Sequence, residues 1–232
     1  MSKTPTLPTF YIVATPIGNL EDITLRAIRI LKEVDLILCE DTRTTRVLLS
    51  KYDINTPTSS YHAKSKLSKI DDVIQMLRDG KNIALVSDAG TPAISDPGSL
   101  LIQKVREELG DEVSISPIPG PSALISALSV SGLTGGSFTF YGFLPHKKGR
   151  ETIFKTIAES SLISAFYESP HRIEKTLESL ALHVPTRKII IARELTKIFE
   201  QIISGTPAEI IAYFSSHPDK IRGEFVVIIE GK

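Results

Sequence analysis

Apolar residues recur at helical spacing in several stretches of the chain, with short apolar runs between them. Ile23, Ala27, Leu31 and Val34 follow one another at intervals of four, four and three residues. This spacing places apolar side chains on one face of a helix. The same spacing predicts two further amphipathic helices, over residues 67–77 and residues 173–184.

The short runs between these stripes are rich in β-branched and aromatic residues, a composition typical of strands. The strands predicted in this way cover residues 9–15, 35–39, 82–87, 113–117, 137–142, 163–167, 188–193, 198–204 and 223–230. Alternation of strands and helices indicates α/β layers. We expect a mostly parallel sheet in the first half of the chain and a mixed, meander-like sheet in the second.

Proline interrupts the pattern most strongly near the midpoint of the chain. Residues 117–121 hold three prolines and a glycine, so we expect them to continue neither a strand nor a helix. A chain of 232 residues fits one large domain or two small ones. We therefore predict two α/β domains, residues 1–118 and residues 119–232.

Composition and charge are those of an ordinary folded protein, with 41% hydrophobic and 23% charged residues. No apolar run approaches the roughly 18 residues of a membrane span, and the N-terminus lacks the pattern of a signal peptide. The single cysteine, Cys39, permits no internal disulfide, so we expect a buried thiol and a cytoplasmic protein. Basic and acidic residues number 27 each, so a nucleic-acid partner would have to bind a local basic patch.

Glycine-bearing segments stand where predicted strands end: TPIGN at 15–19, SDAGTP at 87–92 and PGPSA at 119–123. Ligands of open α/β sheets bind beyond the carboxyl ends of the strands, so these segments are candidates for close contact between backbone and ligand. The alternative is that each is an ordinary tight turn. The chain has no GxGxxG, P-loop, zinc-ligand or GxSxG pattern, which disfavours dinucleotide, P-loop, zinc and hydrolase sites.

The same segments belong to a longer, ordered set of motifs. The set comprises ATPIGNLEDIT at 14–24, CEDTR at 39–43, SYH at 60–62, LVSDAGTPAISDPG at 85–98, PGPSA at 119–123, GFLP at 142–145, YESPHR at 167–172, ARELTK at 192–197 and RGEF at 222–225. In this order, over almost the whole chain, the motifs resemble those of the tetrapyrrole methylase (class III methyltransferase) superfamily. They look most similar to its bacterial branch that methylates a ribose 2′-oxygen of a cytidine in small-subunit ribosomal RNA.

The resemblance implies an S-adenosylmethionine-dependent methyltransferase that acts on ribosomal RNA or the assembled small subunit, forms a homodimer and has no membrane partner. It also implies a cofactor cleft between the two α/β domains. By motif position, the cofactor contacts are expected at Pro16, Ser87, Asp88, Thr91, Ser122, Ala123, Tyr167, Ala192 and Arg193. A surface ion pair between Arg193 and Glu194 is the alternative for that pair.

Methyl transfer to a ribose hydroxyl depends mainly on positioning, and a general base adds about 10²–10⁴ in rate. The catalytic candidates are Glu40, Asp41, His62, Glu168 and His171. Structural roles remain open beside these: Asp41 or Thr42 as a helix cap, His62 as a hydrogen-bonded structural residue, and Ser169 as the cap of a helix that starts at Pro170.

Basic residues near the motifs are candidates for RNA contact. They are Arg43, Arg46, Lys147, Lys148, Arg150 and Arg172. Arg43 and Arg46 are three residues apart and share a helix face, and residues 146–150 form the most basic run. A merely solvated surface is the alternative. Because aromatic residues are few and tryptophan is absent, base stacking would rest on residues such as Tyr61, Phe143 or Tyr167.

Two departures from the family pattern leave other functions open. Residues 63–66 read Ala-Lys-Ser-Lys where the branch usually continues with histidine, asparagine and glutamate, and the sequence ends at Lys232, where many relatives add a segment. One alternative is a tetrapyrrole methyltransferase, against which CEDTR and YESPHRI argue. Another is a non-catalytic RNA-binding protein of the same fold. A knotted-type RNA methyltransferase is less favoured because its end motifs are absent.

Overall fold

The computed structural model describes residues 7–62, 67–96 and 98–232. The chain divides into two compact units, unit 1 (Met1–Ser122) and unit 2 (Ala123–Lys232), where the sequence pattern predicts a boundary after residue 118. The departure at residues 63–66 and the proline at position 97 lie outside the described residues.

Unit 1 is an α/β layer structure built from strands and helices in alternation. Its elements are β1 (Thr9–Val13), α1 (Leu25–Glu33), β2 (Leu36–Cys39), α2 (Thr42–Lys51), β3 (Thr58–Ser60), α3 (Leu67–Arg78), β4 (Ile83–Val86), α4 (Ser99–Leu109) and β5 (Ser114–Ile118), with short 3-10 helices at Leu20–Asp22 and Gly110–Glu112. The strands form one parallel sheet in the order β3-β2-β4-β1-β5. The predicted parallel sheet is thereby confirmed.

The core of unit 1 lies on both faces of this sheet, as a parallel sheet requires. All four residues of β4 are buried. Helix α1 begins at a Thr24 cap, whose hydroxyl accepts the Ala27 N–H at 3.1 Å, and it buries Ala27, Ile30 and Leu31 against one face. Helices α3 and α4 pack on the other face. The predicted apolar stripes are therefore the buried sides of these helices.

Two local features of this sheet differ from the prediction. Strand β3 was not predicted, because its three residues, Thr-Ser-Ser, carry no apolar run. The strand predicted at 113–117 is present as β5, but it continues through Pro117 to Ile118, so the expectation that residues 117–121 continue no strand is wrong for the first two of them. Strand β5 is an edge strand, and an edge strand tolerates a missing N–H on its open side.

Unit 2 holds a mixed sheet with helices on both faces. Its elements are α5 (Ala123–Val130), β6 (Phe138–Phe143), α6 (Arg150–Glu159), β7 (Ile163–Glu168), α7 (Ile173–His183), β8 (Ile189–Arg193), β9 (Gln201–Gly205), α8 (Pro207–Ser216) and β10 (Phe225–Ile229), with a 3-10 helix at Pro218–Lys220. The order is β6-β7-β10-β8-β9. Strands β6 and β7 are parallel and the other neighbours antiparallel, which confirms the predicted mixed sheet.

The two faces of this sheet bury different residues. Phe166, Val227 and Ile191 lie in one cross-strand row and pack in the core formed with α6, α7 and α8. The opposite face includes Val226 of β10, the strand that α5 contacts. Helix α7 begins at Ile173 without a side-chain cap, so the expected helix start at Pro170 with a Ser169 cap is wrong. Residues 169–172 form a turn in which the Ser169 carbonyl accepts two backbone N–H groups.

No helix in the described ranges is long and apolar enough to cross a membrane.

Candidate functional site

The carboxyl ends of β1 and β4 are tied together by a backbone bridge. Thr15 and Gly90 each donate a backbone N–H to the other's carbonyl, at 2.9 and 3.0 Å. The Thr15 hydroxyl also donates to the Ser87 carbonyl at 3.0 Å. The bridge places the buried Pro16 beside the loop that carries Ser87.

The hydroxyls of the β4 loop are used within the protein. Ser87 Oγ donates to the Gly90 carbonyl at 3.1 Å, and Thr91 Oγ1 donates to the Pro121 carbonyl at 3.4 Å. A Cβ on Gly120 would lie 3.0 Å from the Ala14 Cβ, which shows how closely the ends of β1 and β5 approach. The segments after β1, β4 and β5 therefore converge at the carboxyl edge of the unit 1 sheet. These segments hold Pro16, Ser87, Thr91 and Ser122.

Acidic residues from β2 and β4 meet at the same edge. The Asp41 N–H donates to Asp88 Oδ1 at 3.1 Å. Asp41 is the N-cap of α2: its carboxylate accepts the Arg43 N–H at 2.8 Å and pairs with the Arg43 guanidinium at 2.6 Å. The alternative of Asp41 as a helix cap is thus realised, and Arg43, though 89% exposed at its side chain, is paired with it.

Glu40 and Asp41 are adjacent but differ in acidity. Burial raises the pKa of the half-buried Glu40 carboxyl, repulsion by Asp88 raises it further, and attraction to His62 opposes the rise. Hydrogen bonds from Arg43 lower the pKa of Asp41 to about 2. A general base works best when its pKa lies near the operating pH, so of these two carboxylates Glu40 has the more suitable chemistry.

In unit 2, strand pairing places the predicted residues on two opposite faces of the sheet. Tyr167 and Ala192 both pair with Val226 and therefore share one face. Glu168 and Arg193 both pair with Phe225 and share the other, where α6, α7 and α8 pack. The predicted cofactor residues Tyr167 and Ala192 are brought together, whereas the side chain of Arg193 points away from them.

Glu168 is the centre of a buried hydrogen-bonded cluster, which we call the Glu168 hub. Its carboxylate side chain is fully buried and accepts from Arg172 Nε at 2.6 Å, Arg150 Nη2 at 3.2 Å and Thr176 Oγ1 at 2.7 Å. The Ser169 N–H donates to it at 2.8 Å. These bonds give Glu168 an anchoring role, and they pair two of the four arginines predicted to contact RNA, Arg150 and Arg172, with a buried carboxylate.

The Nη1 groups of Arg172 and Arg150 bind the segment that follows β6. Arg172 Nη1 donates to the Leu144 carbonyl at 2.8 Å, and Arg150 Nη1 donates to the Pro145 carbonyl at 3.4 Å. The hub therefore fixes the start of the basic run, which reaches solvent at the exposed Lys147 and Lys148.

Arg193 is buried among backbone carbonyls, with 4% of its surface exposed. Its guanidinium donates to the carbonyls of Lys220 and, at 3.3 Å, Phe199. Glu194 pairs instead with Lys197 at 2.9 Å. The alternative of a surface ion pair between Arg193 and Glu194 is therefore wrong.

The remaining predicted site residues differ in their exposure to solvent. His62, His171 and Arg46 are exposed, and Ala123 is the first residue of α5. Tyr61 is buried, which removes it as a base-stacking surface, and Cys39 is the expected buried thiol. Within the described ranges, no group of three or more histidine, cysteine or acidic side chains is arranged to hold a metal ion.

Sequence reasoning missed Thr176 and Phe140. Thr176 completes the Glu168 hub, and the signal available was its position eight residues after Glu168 on the buried face of α7. Phe140 contacts the Tyr167 ring at a centroid distance of 4.9 Å. No sequence pattern indicates that contact, because it depends on the register in which β6 pairs with β7.

Comparison with known proteins agrees with this architecture. The family model described as Tetrapyrrole (Corrin/Porphyrin) Methylases matches residues 9–211. A ribosomal RNA small subunit methyltransferase I of Thermotoga maritima is 46% identical over 95% of this chain and 97% of that protein. Its counterpart in Bacillus subtilis is 46% identical over 95% of this chain and 74% of that protein.

Solved structures with much lower identity share the fold. A cobalt precorrin-4 methyltransferase of cobalamin biosynthesis superposes with a TM-score of 0.67 at 17% identity, covering 96% of this chain and 94% of that one. Uroporphyrin-III C-methyltransferase from Thermus thermophilus gives a TM-score of 0.63 at 15% identity, with coverage of 96% and 94%.

Proposed function

The chain belongs to the tetrapyrrole (corrin/porphyrin) methylase family, and from that premise we propose that it methylates small-subunit ribosomal RNA. The acceptor in this proposal is the ribose 2′-oxygen of a cytidine, and the methyl donor is S-adenosylmethionine. The observation that carries the proposal is 43–46% identity, over at least 95% of this chain, with curated relatives named ribosomal RNA small subunit methyltransferase I. The structural neighbours that act on tetrapyrroles are far less similar in sequence, so their likeness supports the fold alone.

The side chains at the carboxyl edge of the unit 1 sheet have charges that suit the methyl donor. When bound, S-adenosylmethionine supplies a methyl group activated by a positively charged sulfur. The Asp88 carboxylate is exposed, and it suits the positive charges of the donor. The Thr15–Gly90 bridge and the Ser87 hydroxyl fix the loop that carries Asp88, so its carboxylate is held before any ligand arrives.

The proposed cofactor contacts fall in both units. In unit 1 they are Pro16, Ser87, Asp88, Thr91 and Ser122, and in unit 2 they are Ala123, Tyr167, Ala192 and Arg193. Because the Ser87 and Thr91 hydroxyls donate to backbone carbonyls, we expect the loop backbone and Asp88 to make most of the unit 1 contacts. Arg193 would contribute through its backbone, since its side chain lies on the other face of the sheet from Tyr167.

Glu40 is the proposed proton acceptor. The Glu40 carboxylate would accept the proton that the ribose hydroxyl loses when it takes the methyl group. The raised pKa of Glu40 makes it a better acceptor than Asp41, whose carboxylate is engaged by Arg43. We assign Asp41 the positioning of α2 and Arg43, and His62 the electrostatic support of Glu40. His171 remains a catalytic candidate of unit 2.

The proposed RNA contacts are Arg43, Arg46, Lys147 and Lys148. All four are exposed, whereas Arg150 and Arg172 are bound to Glu168 and act through the loop that they hold. We further propose a homodimer, which sedimentation would report as twice the 25.5 kDa of the chain. A species that sediments at the monomer mass at all concentrations would contradict the dimer.

Calorimetry with S-adenosylmethionine tests the cofactor proposal directly. We expect the wild-type protein to bind the donor and Asp88→Asn to bind it at least tenfold more weakly, because one charge-assisted contact is worth about 1.5–3 kcal/mol. Asp79→Asn, a change at an exposed residue after α3, serves as the matched control. An absence of binding by the wild-type protein would overturn the proposal.

A further inference from the structure

The end of β6 contains a β-bulge that determines where Phe143 points. Phe140 pairs with Ala165 and Phe143 pairs with Tyr167, so three steps along β6 match two along β7. In a regular strand, residues three apart point to opposite faces. The bulge, with Gly142 at a φ of 63°, returns Phe143 to the face that Phe140 occupies.

Both phenylalanine rings consequently contact Tyr167. The centroid distances are 4.9 Å for Phe140 and 5.4 Å for Phe143, with tilted or edge-on geometry. Phe143 is the outermost ring and is 58% exposed. Its Tyr167 contact restricts the ring, so an exposed aromatic face is presented at the end of an edge strand.

Positive charge lies a few residues beyond this ring. The exposed Lys147 is four residues from Phe143, which limits their Cα separation to about 14 Å. Neither Lys147 nor Lys148 forms an ion pair within the described part of the chain. The arginines of the Glu168 hub bind the Leu144 and Pro145 carbonyls, which lie between Phe143 and the lysines in the chain. These bonds fix the backbone that connects the ring to the lysines.

We propose that Phe143, Lys147 and Lys148 form a binding surface for single-stranded RNA, in which Phe143 stacks on a base and the lysines contact adjacent phosphates. Unpaired bases stack on exposed aromatic rings, and lysines without acidic partners attract phosphate. This inference rests on the proposed function and names the surface that would hold the substrate RNA.

The test measures binding of purified small ribosomal subunits to the protein at several salt concentrations. Phe143→Ala is expected to weaken binding about 5- to 150-fold, the range for loss of one stacked base. Stacking releases no counterions, so the slope of affinity against salt stays unchanged. Lys147→Ala and Lys148→Ala should each flatten that slope by about one unit.

Control variants separate stacking from altered folding. Phe138→Ala removes a 40% exposed ring at the other end of β6 and is expected to bind within twofold of wild type. Phe143→Trp keeps an aromatic ring and should bind the subunits with wild-type affinity. Phe143→Leu keeps an apolar side chain of similar size without an aromatic face, so it should bind as weakly as Phe143→Ala and remains informative if the alanine variant folds poorly.

Two results would overturn the inference. One is wild-type affinity in both Phe143→Ala and Phe143→Leu; the other is a flattened salt slope in these variants, which would mean that they act by displacing the lysines. Methyl transfer to the subunits by the wild-type protein is measured in parallel. If it occurs while the Phe143 variants bind normally, only this inference fails; if the wild type neither binds nor methylates, the proposed function fails with it.

Discussion

Neighbouring carboxyl groups at the end of β2 have opposite surroundings. Glu40 is half-buried, and burial and Asp88 raise its pKa, whereas Asp41 caps α2 and accepts several hydrogen bonds from Arg43. One residue of sequence thus separates a carboxyl suited to accept a proton from one suited to hold a helix and an arginine.

Glu40→Gln tests the assignment of the proton acceptor. We expect kcat to fall by about 10²–10⁴ while the affinity for S-adenosylmethionine stays unchanged, because positioning survives the loss of a base. Only the ionised carboxylate accepts a proton, so the wild-type rate should fall as pH decreases through a pKa above the ordinary 4.5. That acidic limb should be absent from the Glu40→Gln profile, and its persistence would assign the base elsewhere, with His62 next.

A titration followed by NMR tests the origin of the Asp41 acidity. The Asp41 carboxyl should titrate near 2, and Arg43→Gln should move its pKa upward toward 3.8, since the side chain of Arg43 is the first cause of the shift. The depressed pKa means that the ionised form is favoured in the folded protein, and this preference is lost as pH falls toward 2. An ordinary pKa in the wild-type protein would contradict the contact.

At the scale of elements, the Glu168 hub joins β7, α6, α7 and the segment after β6. Arg150 begins α6, Thr176 is the fourth residue of α7, and Arg172 precedes that helix. A single buried carboxylate of β7 therefore fixes the starts of α6 and α7 and the segment after β6.

Glu168→Gln is expected to reduce the free energy of unfolding by about 3–5 kcal/mol, because it leaves two largely buried arginines without their countercharge. Glu33→Gln breaks an exposed ion pair with Arg29 and should cost less than about 1 kcal/mol. Chemical denaturation of both variants measures the difference. Equal losses would show that burial does not strengthen the hub.

The bulge in β6 gives a second prediction at this scale. Gly142→Ala places a side chain at a φ of 63°, which should cost about 1–2 kcal/mol of stability and displace Phe143. Gly136→Ala is the matched control, because a Cβ there meets nothing within 4 Å and no positive φ is involved. Denaturation and RNA binding are measured together; retention of both by Gly142→Ala would contradict the role of the bulge.

Hydrophobic patterns predicted the elements better than they predicted their irregularities. Ala27 and Leu31 of the predicted stripe lie on the buried side of α1, because their spacing matches a helix, and Ile23 is buried just before that helix begins. Strand β3 has no apolar residue for the pattern to detect. Strand β5 runs one residue past its predicted end at Pro117, because its edge position, which depends on tertiary pairing, tolerates the proline.

The motifs of unit 1 hold residues that the structure brings to one end of the sheet, but motif position did not separate anchoring from contact in unit 2. Glu168, Arg150 and Arg172 have the polar character of functional residues, yet their side chains face a core covered by three helices. Which face of β7 a residue occupies depends on strand register, and single-sequence patterns do not contain that register.

For the whole molecule, balanced charge and RNA binding are compatible. The 27 basic and 27 acidic residues give no net charge. Affinity for RNA must therefore come from local groups such as Lys147 and Lys148, together with shape and stacking. We therefore expect a modest salt dependence, with a slope set by a few phosphate contacts.

The most direct test of the central claim is transfer of labelled methyl from S-adenosylmethionine to small ribosomal subunits that lack the modification. The account predicts label in the ribosomal RNA, recovered after digestion as 2′-O-methylcytidine, and no label in a porphyrinoid precursor offered in parallel. Label in the porphyrinoid, or RNA that is bound but never methylated in a single turnover, would contradict it.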